Sequence, residues 1–335
     1  MAFYSDEQIE QMRENVRRGL NKGKNPKSVK AGAWEPDYSL HDKLGLPRPP
    51  VMTKSELDAI IQRSPGGTPA TGRLVNVWDP YIEAEVARVV DLMRDAESDE
   101  RVFSILGGSS ATMKSTFRRW AEGVVNGTVD KDSLPGDAPF VLDYLDGRSV
   151  MVDPDDAKLI IPEYIGHIST LTPGGASYVH QESRNIAEAL RRRAAESRLP
   201  IIYDTSGQFN NGFQTISDMR DSGYRISANY FLAPTNILIQ RAQEREEKTG
   251  RGVPTGIIST MADNLTRIIP NLWSSGWLDD LTIVDTSDPL NPRIILRLSL
   301  AEDLQFDQDE TALISYFGRD RMTKWWTKLP SNAKW

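Results

Sequence analysis

The clearest chemical pattern in the chain is Gly107-Gly108-Ser109-Ser110-Ala111-Thr112-Met113-Lys114-Ser115-Thr116, which follows the apolar run Val102, Phe103, Ile105 and Leu106 and leads into helical sequence. Counted from Gly108, the spacing to Lys114-Ser115 is that of G-x-x-x-x-G-K-[ST], with Met113 standing where the second glycine falls. This pattern reads as a phosphate-binding loop. Backbone N–H groups of the turn and of the first helical turn would face phosphate oxygens, Lys114 would bring a point charge to the terminal phosphates, and Ser115 a hydroxyl to Mg²⁺. The bland alternative is an ordinary strand-to-helix turn with a capping serine.

Acidic residues gather at two further strand ends. Arg148 to Val152 runs into Asp153-Pro154-Asp155-Asp156, and Leu199 to Tyr203 runs into Asp204-Thr205-Ser206-Gly207. Carboxylates at the C-terminal ends of strands in an open α/β sheet face the crevice where ligands bind. One acid of the first group would serve as a helix N-cap ahead of Ala157-Lys158-Leu159-Ile160, but three exceed that need, so a functional carboxylate is expected among them. Glu182 and Glu188 lie on a helix spanning Ser177 to Ala195, and Arg241, Arg245 and Arg251 lie on or just after a helix from Asn236 to Lys248.

The elements that must position these groups follow from periodicity. From Arg101 onward, short apolar runs alternate with helical patterns, as in a parallel sheet covered by helices. Strands are expected at 102–106, 139–144, 148–152, 199–203, 224–232, 281–284 and 294–298, with a long helix from Pro254 to about Ser274. Upstream, the spacing predicts helices over Ser5–Leu20, from the Thr53–Glu56 capping box, and from Asp79-Pro80 to about Met93, with a possible strand at Arg73–Trp78. Asn21 to Pro50 reads as a linker or arm, and Arg17–Lys30 is basic. The organisation expected is a mainly helical N-terminal extension over 1–95, an α/β domain over 96–300 and a C-terminal tail over 301–335 that packs on it through tryptophans.

Composition narrows the classes. The chain has 335 residues, 39% of them hydrophobic and 26% charged, a net charge of −7, no cysteine and three histidines. Disulfides, thiolate zinc sites and cysteine nucleophiles are excluded, and His41, His167 and His180 stand too far apart in sequence to build on. No apolar run reaches the length of a membrane span and the first residues lack a signal-peptide pattern, so no membrane role and a cytoplasmic location are expected. The acidic balance argues against a nucleic-acid-coating role.

Taken together, the stretch from about 102 to 288 resembles the zeta-toxin family of kinases. The Lys114 loop looks like the family's nucleotide-binding loop, and Val152-Asp153-Pro154-Asp155 like its strand-end pair of acids, the second of which is the family's general base. Glu188 has the spacing to Asp204 of a family glutamate that contacts the sugar. Ile202 to Gly207 resembles the strand tip that holds substrate, with Asp204 and Ser206 where a family member has glutamate and threonine. Leu232-Ala233-Pro234, Arg245 and Arg251-Gly252-Val253-Pro254 resemble the segments that carry two phosphate-binding arginines. Met113 and Ala111 stand where the family has glycines.

The resemblance implies a P-loop kinase fold, with a mostly parallel sheet and helices on both faces. Residues 108–116 would bind ATP or GTP, and Ser115 Mg²⁺. Asp155, Lys114, Arg245 and Arg251 would be catalytic, and Glu188, Asp204 and Ser206 would contact substrate. The implied activity is phosphorylation of a sugar hydroxyl on a UDP-activated amino sugar such as UDP-N-acetylglucosamine, with a small helical antitoxin, or residues of the N-terminal extension in its place, covering the nucleotide site. Two other readings stay open: a non-catalytic kinase-fold scaffold in a larger, viral or multi-subunit assembly, and a kinase for a nucleotide, NAD or a nucleic-acid end.

Overall fold

The computed structural model describes residues 37–49, 51–63, 78–94, 101–169, 178–206, 212–249, 253–300 and 309–326. The expected helix at Ser5–Leu20, the basic run Arg17–Lys30, Arg251 and all of the expected strand at Arg73–Trp78 except Trp78 itself lie outside these residues.

In chain order the elements are α1 (Ser39–Leu44), α2 (Lys54–Arg63), α3 (Asp79–Met93), β1 (Val102–Gly108), α4 (Lys114–Val125), α5 (Ala138–Val141), β2 (Val150–Val152), α6 (Pro154–Lys158), α7 (Pro162–Ser169), α8 (His180–Glu196), β3 (Ile201–Thr205), α9 (Gly212–Asp221), β4 (Arg225–Leu232), α10 (Thr235–Thr249), α11 (Thr255–Ser274), β5 (Asp280–Asp285), β6 (Arg293–Ser299), α12 (Glu310–Phe317) and α13 (Arg319–Trp326). Six strands form one sheet in the order β2-β3-β1-β4-β5-β6. All pairs are parallel except β5 with β6, which closes one edge antiparallel. This is the α/β architecture of a P-loop kinase-type fold, with the phosphate-loop strand β1 near the middle and β3 beside it.

The sheet separates two apolar layers. On one face Phe103, Ile105, Ile201, Ile226, Ala228 and Tyr230 pack with Ile186 and Leu190 of α8 and with Leu265, Ile269 and Leu272 of α11. On the other, Leu106, Ile202, Phe231 and Val284 pack with Phe117 and Ala121 of α4. The period of two along β1, β3 and β4 therefore sends alternate side chains to opposite layers. Nearly all of β1, β4 and β5 is buried, as expected of central strands covered on both faces.

The segment 139–144, expected as a strand, is helical: α5 is continued by a 3₁₀ turn over Leu142–Tyr144. Two features account for this. Pro139 sits in the first helical turn, where its missing N–H costs nothing, and the buried residues Ala138, Val141, Leu142 and Leu145 recur at helical rather than alternating spacing. Phe140, on the opposite side, is exposed.

The Thr53–Glu56 capping box forms as expected. Thr53 N donates to Glu56 Oε2 at 2.8 Å, and Glu56 N donates to Thr53 Oγ1 at 3.3 Å. The described part of the N-terminal extension is built into the α/β core. Tyr81, Ile82, Val86 and Val89 of α3 join the larger apolar cluster, and Glu83 pairs with Arg193 of α8 at 2.7 Å. Glu85, itself buried, accepts the Met151 N–H of the edge strand β2 at 3.2 Å while Arg88 clamps both of its oxygens. A helix thus satisfies part of an edge strand that would otherwise present an unpaired donor. Trp325 of the C-terminal tail is buried against Phe317. Among the described residues no helix is long and apolar enough to cross a membrane.

Candidate functional site

The loop after β1 is held by close packing at its two glycines. A Cβ on Gly107 would stand 2.3 Å from a ring carbon of Tyr230. Gly108 has φ +151°, and a Cβ there would lie 2.7 Å from both the Phe231 carbonyl oxygen and Thr112 Oγ1. Thr112 Oγ1 donates to Ser109 O at 2.9 Å and Thr286 Oγ1 to Thr112 O at 3.4 Å, tying the turn to itself and to the end of β5. Ala111 and Met113 both have φ 68°, so the two positions where the resembled family has glycine are left-handed here. A non-glycine residue in that region costs roughly 1–2 kcal/mol. Both side chains turn into apolar neighbours: Met113 packs on the Leu106–Phe117 layer and Ala111 on Ala233, Leu238, Ala242 and Ile258.

Met113 is the N-cap of α4, and the first helical residue is Lys114. Lys114 Nζ donates to Gly108 O at 2.7 Å and to Ser109 O at 3.3 Å, and lies 3.7 Å from Asp204 Oδ1 at the tip of β3. Register explains this last approach, since Leu106 of β1 is paired with Asp204 and Gly107 with Thr205. Ser115 is exposed at the helix start, Thr116 is half-buried, and Ser110 Oγ accepts Arg245 Nη2 at 3.1 Å. Ser109 Oγ donates to Ile258 O at 3.4 Å.

The three acids after β2 separate into three positions. Asp153 caps α6, accepting the Asp155 N–H on Oδ1 at 2.7 Å. Its Oδ2 receives Arg118 Nη1 at 2.8 Å, and Arg118 Nη2 donates to Asp156 Oδ1 at 3.1 Å. Asp155 is the outermost, with its side chain 55% exposed and Lys158 Nζ 2.5 Å from Oδ1. Burial, then the Asp156 charge, pushes the Asp153 carboxyl up to about 6, against the pull of Arg118. Burial pushes Asp204 up to about 7, with Lys114 opposing and Asp153 adding to it. Burial would depress the Arg118 guanidinium, but the carboxylates of Asp156, Asp153 and Asp204 together raise it above its ordinary value.

The structure therefore brings Lys114, Asp204, Asp153, Asp155, Ser110 and Arg245 to one end of the sheet, at the C-terminal ends of its parallel strands. Ser206 follows β3 and is half-buried. Glu188 is engaged elsewhere: Arg191 and Arg192 donate to it at 2.6 and 3.1 Å, and its charge is felt by Tyr203, on the opposite sheet face from Asp204. Arg241 is distinguished from Arg245 by its contacts, donating to the Thr286 and Ser287 carbonyls at 2.8 and 2.9 Å. His180 is not isolated in space. Burial and the neighbouring Lys158 charge push it down to about 4, and it also feels Asp155.

Arg118 is the residue that sequence reasoning missed. The available signal was its place one helical turn after Lys114, which puts both cations on one side of α4. Its partners, Asp153 and Asp156 at the start of α6, could not be read from that spacing.

A sheet of this order, with a glycine turn running into a helix that opens on Lys-Ser and acids at the neighbouring strand ends, defines a P-loop kinase-type fold. Residues 138–291 match the family model described as Zeta toxin, so the resemblance carried by the motifs is met by the family model over that stretch. The match takes in Asp155, Glu188, Asp204, Ser206, Arg245 and Arg251, and begins after the phosphate loop. No curated protein matches the chain.

Among solved structures, the native AvrRxo1-ORF1:-ORF2 complex is similar at 12% identity and TM-score 0.52, covering 84% of this chain and 86% of that one. AvrRxo1-ORF1:-ORF2 with ATP is similar at 14% identity and TM-score 0.52, covering 80% and 78%. A structure from the PezAT chromosomal toxin-antitoxin system of Streptococcus pneumoniae has 12% identity, TM-score 0.48, and coverage of 74% and 94%. At these identities the likeness to the two AvrRxo1 complexes speaks to the fold alone.

Proposed function

We propose that the protein is an ATP-dependent kinase that phosphorylates a hydroxyl group of a small molecule. The observation that carries this is the convergence of Lys114, Asp204, Asp155 and Arg245 around one strand-to-helix turn. The turn fits a phosphate group: at Gly108 a Cβ would collide with backbone, so only glycine leaves the chain this close, and α4 opens directly after the loop at Lys114, its positive end toward an anion there. When bound, ATP or GTP with Mg²⁺ supplies the transferable phosphoryl group. Residues 108–116 would hold it and Ser115 would take the metal. Among the described residues no three acidic or histidine side chains gather to hold a metal ion, so Mg²⁺ would share its ligands with the phosphates.

Phosphoryl transfer asks a protein for position and charge stabilisation more than for covalent chemistry. Asp155, exposed at its turn, would take the proton of the acceptor hydroxyl. Lys114 would leave the loop carbonyls for the phosphate oxygens, and Arg245, already on Ser110, would face the charge that grows on the transferred group. Arg251 joins this set by resemblance. Asp204 and Ser206 would contact the acceptor, and Glu188, held by Arg191 and Arg192, would join them by resemblance.

The acceptor suggested by the family resemblance is a UDP-activated amino sugar. The same resemblance suggests a small helical antitoxin-like partner, or residues 1–95 in that role, and the site of action we infer is cytoplasmic. The test is transfer of labelled γ-phosphate to UDP-N-acetylglucosamine and to a panel of nucleosides, NAD and sugars. Label on one acceptor supports the reading; no label on any, with no ATP binding by calorimetry, overturns it in favour of a scaffold.

A further inference from the structure

Resting on that kinase reading, we propose that Arg118 is a positioning residue that locks the phosphate-loop helix to the turn carrying Asp155. Its guanidinium spans both acids that flank Asp155 in space. Nη1 stands 2.8 Å from Asp153 Oδ2 and 3.0 Å from Asp156 Oδ2, while Nη2 reaches Asp156 Oδ1 at 3.1 Å. The two oxygens of Asp153 then serve different elements: Oδ2 is pinned by α4 through Arg118, and Oδ1 pins the backbone N–H of Asp155 at 2.7 Å. A chain of two hydrogen bonds therefore runs from the helix that opens on Lys114 to the backbone of Asp155.

The arrangement is costly, which is why a bystander role explains it poorly. The side chains of Arg118, Asp153 and Asp156 are only 13, 11 and 19% exposed, and charges withdrawn from water repay their desolvation only with good geometry and satisfied partners. Arginine meets Asp156 through both Nη atoms while Nη1 also reaches Asp153, a planar, two-point geometry that a lysine ammonium does not reproduce. Without the bridge, the packing of Ala157, Leu159 and Ile160 would still seat the Asp155 turn on the core, but Asp153 would lose its hold on the helix that carries Lys114.

The test uses the full chain. Arg118→Lys keeps the charge and loses the fork. It is expected to fold, to bind ATP and to keep its KM for ATP within about twofold, while kcat falls roughly 10- to 100-fold, the scale on which a misplaced group costs rate. Hydrogen exchange at the Asp155 amide should quicken in the same variant while the amides of α9 stay as they were. Adding Arg118→Lys to Asp155→Asn should cost nothing more, because Arg118 acts through Asp155. Independent, multiplying losses in that double variant, an unchanged kcat, or a rise in KM at constant kcat would each overturn the proposal. If Arg118→Lys fails to fold, Asp153→Asn, which keeps an oxygen for the Asp155 N–H and loses the ion pair, must reproduce the kcat loss or the proposal falls. A wild-type chain that transfers phosphate to no acceptor sinks the kinase reading and this role with it, whereas an active wild type beside an unaffected Arg118→Lys sinks this role alone.

Discussion

Lys114 Nζ lies 3.7 Å from Asp204 Oδ1, a contact that joins the first residue of the phosphate-loop helix to the tip of the neighbouring strand. With the same ammonium on the Gly108 and Ser109 carbonyls, the loop's principal cation is held between its own backbone and a buried carboxylate. Lys114→Ala should therefore remove both the ligand charge and the internal tie. Calorimetry is expected to register ATP–Mg²⁺ binding to the wild type and none to the variant at millimolar ATP. Equal heats would show that the loop does not bind nucleotide.

Met113→Gly separates strain from ligand space. The left-handed backbone at Met113 costs roughly 1–2 kcal/mol, and glycine would relieve it. The methionine side chain packs on the Leu106–Phe117 layer, so its loss costs a comparable amount, about 1–2 kcal/mol for a partly buried apolar side chain. Thermal unfolding of the variant should stay close to wild type. Because the side chain points into the core layer, ATP affinity should change by only a few-fold; a gain of a hundredfold would mean that Met113 blocks the ligand.

Asp155→Asn should lower the transfer rate by roughly 10²–10⁴ while leaving ATP–Mg²⁺ affinity within a few-fold, since a general base acts on the acceptor. Rapid-quench and calorimetric measurements decide it. Parallel loss of binding and rate would reassign Asp155 to the metal.

Arg245→Ala and Arg241→Ala should differ in kind. Arg245 touches the phosphate loop, and its removal should lower kcat well beyond its effect on ATP binding, as for a charge-stabilising group. Arg241 holds two carbonyls after β5, so its removal should lower the melting temperature and leave kcat per folded molecule near wild type. The reverse pattern would exchange the two assignments.

Asp204→Asn should raise stability in a pH-dependent way. Burial lifts this carboxyl from 3.8 to about 7, so the native state binds the proton more tightly than the unfolded chain. The contribution of Asp204 is fully present below the unfolded pKa and is lost as pH rises through the folded one. The asparagine variant should match wild type near pH 4 and melt higher near pH 8. A constant difference across that range would show that Asp204 ionises normally.

What the sequence determined by itself is what repeats locally. The period of two in β1 and β4, the capping box at Thr53, Pro80 opening α3 and the glycine turn before Lys114-Ser115 each act over a few residues, so spacing alone carries them. The order of motifs also carried the family resemblance over the stretch that the family model matches. The sequence misread Pro139–Tyr144 because apolar residues in a short run satisfy both periods until a partner surface chooses between them.

Tertiary structure decided everything that required two distant segments to meet. Asp153, Asp155 and Asp156 are near-equivalent in the sequence; the approach of α4 gives two of them to Arg118 and leaves the third exposed. The pairing of Arg245 with Ser110, and of Arg241 with the end of β5, likewise depends on where α10 lands on the sheet. So does the divorce of Glu188 from Asp204, whose side chains occupy opposite faces of the sheet, because a spacing along the chain does not specify the side on which a helix packs. Burial sets the charge states as well: the carboxyls of Asp153 and Asp204 are raised by the packing around them, a property of the assembled core that no residue type carries alone.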